Sequence, residues 1–110
     1  MLNQIVLVGR LTSDPIINEV EDKKVMELVV SVPRSFKNSD GEYETDYITI
    51  IIYNGIASSV YDYCHKGDII GVKGRIESKL IEDGENQKYE NRIIAEKVTF
   101  LSSKKSDSEE

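Results

Sequence analysis

Tyr47 and Tyr53 are the first side chains in this sequence whose type and spacing suggest chemistry. They sit in Asp46-Tyr47-Ile48-Thr49-Ile50-Ile51-Ile52-Tyr53, a run of β-branched residues that reads as a strand. Period-2 geometry sends Ile48, Ile50 and Ile52 to one face, and Tyr47, Thr49, Ile51 and Tyr53 to the other. The isoleucine face is core. On the opposite face the two rings, six residues apart, are separated by about 20 Å at roughly 3.3 Å per residue. Flat π-faces on an open sheet surface suit the stacking of unpaired nucleobases. Tyrosine is also a favoured strand residue, so on this strand alone the plainer reading of the rings is cover for a half-buried sheet.

Other chemistries have little to work with. The single cysteine, Cys64, and the single histidine, His65, leave no zinc spacing and no internal disulfide. Cys64 reads as a small buried hydrophobe, and His65 as a structural residue in the last turn of a helix. No nucleophile–base pair or phosphate-cradling glycine loop is visible, and Glu82-Asp83 reads as solvated charge in a turn. The expectation is a non-enzyme with no metal and no cofactor.

A chain of 110 residues makes one domain large enough to fold without staples. No run approaches ~18 apolar residues, and the N-terminus lacks a secretory pattern, so neither membrane insertion nor export is expected. A lone cysteine fits a reducing cytoplasm. The net charge of −6, from fourteen basic and twenty acidic residues, runs against the basic footprint of most nucleic-acid binders. The acidic residues concentrate in loops and the tail, at Glu19, Glu21, Asp22, Glu82, Asp83, Glu85, Asp107, Glu109 and Glu110.

Five strands and one helix are needed to hold these residues. Leu2–Leu11 reads as a first strand, apolar enough for burial on both faces over part of its length. Gly9 within it marks a bulge or a close backbone approach. Asn18–Lys24 reads as a charged loop, and Met26, Leu28, Val30 and Val32 as the inward residues of a second strand. Residues 34–44, with Asn38-Ser39-Asp40-Gly41 at their centre, form a hairpin turn leading into the tyrosine strand. Ile56, Val60 and Tyr63 recur at helical spacing over residues 56–66, with Lys66-Gly67 as the stop. Ile69–Lys79 is a fourth strand that puts Lys73, Arg75 and Lys79 on one face with Glu77. Asp83-Gly84 turns it into a fifth, Tyr89–Leu101, with Ile94, Val98 and Phe100 on one side. Three strands, a helix and two strands are the order of a five-stranded OB-fold, an all-β Greek-key barrel with one short helix that binds oligonucleotides or oligosaccharides. That domain is expected over residues 1–101, with 102–110 a short disordered acidic tail.

The opening Met1-Leu2-Asn3-Gln4-Ile5-Val6-Leu7-Val8-Gly9-Arg10-Leu11-Thr12-Ser13-Asp14-Pro15 closely resembles the N-terminal signature of the bacterial single-stranded DNA-binding protein family. Similarity continues through Tyr47-Ile48, Ile50–Tyr53, Lys66-Gly67-Asp68, Gly71–Ile76 and Ile94–Val98, and so covers residues 1–101. The resemblance implies base stacking on Phe36, Tyr47 and Tyr53, with Arg34, Lys37, Lys73, Arg75 and Lys79 as candidate phosphate partners. It also implies single-stranded DNA as the partner, roles in replication, recombination and repair, and a homo-oligomer, usually a tetramer, in the bacterial cytoplasm. Two positions depart from the family pattern: Ile81 stands where an aromatic residue is frequent, and Asn54-Gly55 where a cation follows the third strand. Ser106–Glu110 is acidic but lacks the hydrophobic tip by which relatives recruit replication and repair proteins. An OB-fold protein-interaction module with weak DNA binding is the second reading.

Overall fold

Ile50 and Ile52 are fully buried, as alternation along their strand requires, and the barrel closes around them. The computed structural model describes residues 1–102. Its strands are β1 (Ile5–Leu11), β2 (Asn18–Val20), β3 (Lys23–Lys37), β4 (Tyr43–Tyr53), β5 (Ile69–Asp83) and β6 (Asn86–Ser102), with helix α1 (Asn54–Tyr63) between β4 and β5. The sheet order is β1-β5-β6-β4-β3-β2, and a β1–β3 pairing joins the ends into a closed ring of five, with β2 outside it on β3. All pairings are antiparallel except β4–β6, where Ile50 faces Ile93 and Ile51 faces Ile94. This is the expected OB-fold barrel, from which the β5–β6 hairpin extends beyond the last β1–β5 pair, Ile5 with Gly74.

Leu11, Met26, Leu28, Val30, Ile70 and Val72 fill the interior with the two isoleucines. Each such burial stabilises by roughly 1.5–3 kcal/mol. Gly9 shows why the ring can close: a Cβ there would meet Val30 Cβ at 3.0 Å and the Ser31 carbonyl oxygen at 3.1 Å. Ala57 and Val60 of α1 seal one end of the barrel.

Several elements differ from the sequence expectation. The charged stretch 18–24 is not a loop but a hairpin, with β2 against the start of β3. Its turn is Glu21-Asp22, both with positive φ (51° and 65°), the conformation that matches strand twist in two-residue turns. No apolar alternation announces so short and charged a strand. β1 is not buried on both faces: Leu7 and Leu11 point inward, while Val6 and Val8 remain 67% and 54% exposed. The helix begins two residues earlier than expected and ends three earlier, at Tyr63, so His65 lies beyond it and Tyr63 is exposed. The cause lies in residues 66–68, whose backbone is recruited elsewhere. Gly67 N–H donates to the Leu11 carbonyl and Leu11 N–H to that of Asp68, both at 2.9 Å.

In β6 an extra residue, Glu96, bulges out between the pairs Lys73–Lys97 and Gly74–Ala95. The bulge reverses the alternation, so Ile94 does not share a side with Val98 and Phe100. Gly74 is needed opposite it, because a Cβ there would collide with the Ile94 carbonyl. Ser102 closes β6 opposite Ile69; the remainder of the expected acidic tail lies outside the described residues. Among the described residues no helix is long and apolar enough to cross a membrane.

Candidate nucleic-acid interface

β4 begins at Tyr43, so its outward face carries three tyrosines, Tyr43, Tyr47 and Tyr53, 61%, 69% and 39% exposed. Tyr47 lies in a row with Ser31 of β3 and Arg10 of β1, and Tyr53 lies opposite Val25. Between them Ile51 is covered despite facing outward, because it adjoins Ile94, itself buried. Phe36 lies within an irregularity in β3 between Pro33 and Lys37 and is 64% exposed. Bulges of this kind re-aim side chains. The structure thus brings Phe36, Tyr47 and Tyr53 together on one two-stranded unit, β3–β4, with their rings open to solvent. Tyr43 joins them. Its sequence setting suggests the turn, although its spacing of four residues from Tyr47 shares the same period-2 phase.

The cations divide into two kinds. Arg34 donates to the Asp46 carboxylate from Nε and Nη2, at 3.1 and 2.8 Å, and from Nη1 to Glu44 at 3.3 Å. These bonds raise the guanidinium pKa and, chiefly through the hydrogen bond, hold the Asp46 carboxyl below the usual carboxylate range. Arg75 is bound in the same way, to Glu77 at 2.6 Å and Glu96 at 3.1 Å. Lys37, Lys73 and Lys79 are exposed. Lys37 holds its ammonium 5.6 Å from the centre of the Tyr43 ring, within cation–π range. Lys79 projects from the long β5–β6 hairpin opposite Glu90. Lys73 lies between Val6 and Lys97, on the β1–β5–β6 side of the barrel, separated from β4 by β6.

The two departures from the family pattern have structural settings. Ile81 sits half-buried on the β5–β6 hairpin, opposite Lys88. Asn54 takes a left-handed conformation (φ 52°) that turns the chain from β4 into α1, and its Oδ1 accepts from the Lys24 N–H at 3.3 Å. Asparagine tolerates that conformation better than a long cationic side chain does. Arg10, at the barrel rim, donates from Nη1 to the Gly67 carbonyl at 2.6 Å and so braces the loop after α1.

Cys64 is buried, and its thiol pKa is pushed up to about 11 by desolvation, with a smaller contribution from Asp68. Asp68 accepts from the His65 N–H at 2.8 Å.

Known proteins resemble this chain over most of its length. The model of the single-strand binding protein family matches residues 2–101. The chain is 38% identical over 109 residues to "Single-stranded DNA-binding protein 1" of Staphylococcus aureus (strain MSSA476), covering 97% of this chain and 70% of that one. It is 38% identical over 106 residues to "Single-stranded DNA-binding protein B" of Bacillus subtilis (strain 168), covering 94% of each. Among solved structures, a deletion mutant of the single-stranded DNA binding protein from Thermus aquaticus superposes with a TM-score of 0.77 at 25% identity. The match covers 94% of this chain but only 52% of the Thermus aquaticus chain. With a family model spanning nearly all of the described residues, and relatives this similar over their shared length, the chain belongs to the single-strand binding protein family.

Proposed function

We propose that this protein binds single-stranded DNA without strong sequence preference, coating and protecting it in replication, recombination and repair. The observation that carries the reading is the set of solvent-exposed aromatic rings on β3 and β4, Phe36, Tyr47 and Tyr53, with exposed Lys37 beside Phe36 in β3. Each base stacked on such a ring adds roughly 1–3 kcal/mol, and sequence tolerance follows because every base has a π-face. Lys37, Lys73 and Lys79 supply phosphate contacts. Arg34 and Arg75 join them only by exchanging carboxylate partners for phosphate. The apolar outer face of β1, with Val6 and Val8 exposed, supports self-association, a tetramer by family resemblance.

Two observations favour the protein-interaction module as the second reading: the net charge of −6 and the engagement of both arginines by carboxylates. Titration of fluorescent oligo-dT, followed by anisotropy at two salt concentrations, separates the two. Tight binding that weakens with salt supports the DNA-binding reading. A folded protein that leaves oligo-dT free at low salt overturns it in favour of the interaction module.

A further inference from the structure

We infer that Tyr43 is a further base-stacking residue, so that the path of single-stranded DNA continues past Tyr47 onto the tip of the β3–β4 hairpin. The inference rests on the proposed DNA-binding reading. Four residues along the same strand face place Tyr43 about 13 Å from Tyr47. Its ring is nearly as exposed as that of Tyr47. The Lys37 ammonium, over one face of the ring, leaves the other for a base and brings a cation to the adjoining phosphate.

The hairpin tip is built to hold this pair in place. Asn38 Oδ1 accepts from the N–H groups of Asp40 and Glu42 at 2.9 and 3.0 Å. The Asn38 N–H donates to the Glu42 carbonyl at 2.8 Å, and Gly41 supplies the positive φ, 79°, that the turn requires. The acidic neighbour Glu44 is already occupied, with Arg34 on one carboxylate oxygen and Asn38 Nδ2 on the other. A preorganised arm with one open aromatic face and one cation is what extended single strands use. The half-buried isoleucine at position 81 offers no π-face on the β5–β6 hairpin, and Tyr43 restores a stacking surface on the opposite arm.

The sequence contains no tryptophan, so one introduced at a chosen site reports alone. Y43W, Y47W and Y61W are each titrated with oligo-dT longer than the ~16 nucleotides at the upper end of OB-domain site sizes. Tyr61 is an exposed helix residue beside Pro15 and Asp62, and serves as the off-path control. Expected is quenching of tryptophan emission in Y43W and Y47W but not in Y61W, with Y43A binding roughly 5- to 150-fold more weakly than wild type. Quenching in Y47W with unchanged emission in Y43W, or wild-type affinity in Y43A, overturns the role of Tyr43 and leaves the DNA-binding reading standing. Equal quenching in Y61W also overturns it, as unspecific contact. A wild-type protein that does not bind, with no quenching in Y47W, removes both.

Discussion

Arg34, just past Pro33 where β3 leaves its regular register, reaches back to Asp46 of β4, two nitrogens of its guanidinium bonded to that carboxylate and the third reaching Glu44. A candidate phosphate ligand is therefore already neutralised. Asp46→Asn together with Glu44→Gln is expected to free Arg34 of both carboxylates, tightening oligo-dT binding and steepening the salt slope by about 0.7 as one more phosphate is neutralised. An unchanged slope would show that Arg34 serves the hairpin alone. The pair also has a pH signature. Asp46 is held below its usual pKa, so its contribution to stability is complete above the ordinary carboxylate range and lost as pH falls through the lowered value. Melting curves of wild type and D46N should differ at pH 7 and converge in strong acid.

Tyr53 tests stacking against packing. At 39% exposure it is the least open of the β4 tyrosines, adjoining the start of α1. Tyr53→Ala should weaken oligo-dT binding by roughly 1–3 kcal/mol while moving the melting temperature little. Parallel losses in both measurements would assign the ring to the barrel.

Lys73 lies on the far side of β6 from the tyrosines. If the strand winds that far round the barrel, Lys73→Ala flattens the dependence of log K on log salt by about 0.7. An unaltered slope confines the path to the β3–β4 side and the β5–β6 hairpin.

Cys64 predicts the alkaline behaviour. Burial raises its thiol pKa from 9.0 to about 11, so folding is fully supported below pH 9 and loses this contribution as pH rises through 11. Native protein should alkylate slowly at pH 8.5 and rapidly once unfolded; equal rates would mean that the thiol is open to solvent.

Much of the barrel is legible in the residues. The Ile48, Ile50 and Ile52 phase, the Asp-Gly turns and the close approach at Gly9 all follow from local geometry, and together they specify the ring. What escapes reading depends on partners distant in sequence. The bulge at Glu96 exists only because Gly74 lies opposite, and α1 stops at Tyr63 because Leu11 claims the backbone that follows. At the site, Tyr47 and Tyr53 announce themselves by spacing. The engagement of Arg34 and Arg75 does not, since no one-dimensional pattern says which carboxylate a guanidinium will find. Tyr43 is hidden for a simpler reason: the strand runs four residues further into the turn than its apolar content suggests.

The pairing of β1 with β5, Ile5 opposite Gly74, and of β4 with β6, Ile50 opposite Ile93, ties residues far apart in the chain. Loop closure on that scale is entropically costly and comes late, so this topology folds more slowly than a helical bundle of its size. During synthesis the N-terminal half emerges with Val6, Val8 and the inner face of β1 awaiting a strand not yet made. The ring cannot shut until β5 and β6 have left the ribosome, and until then that half is the aggregation-prone part of the molecule.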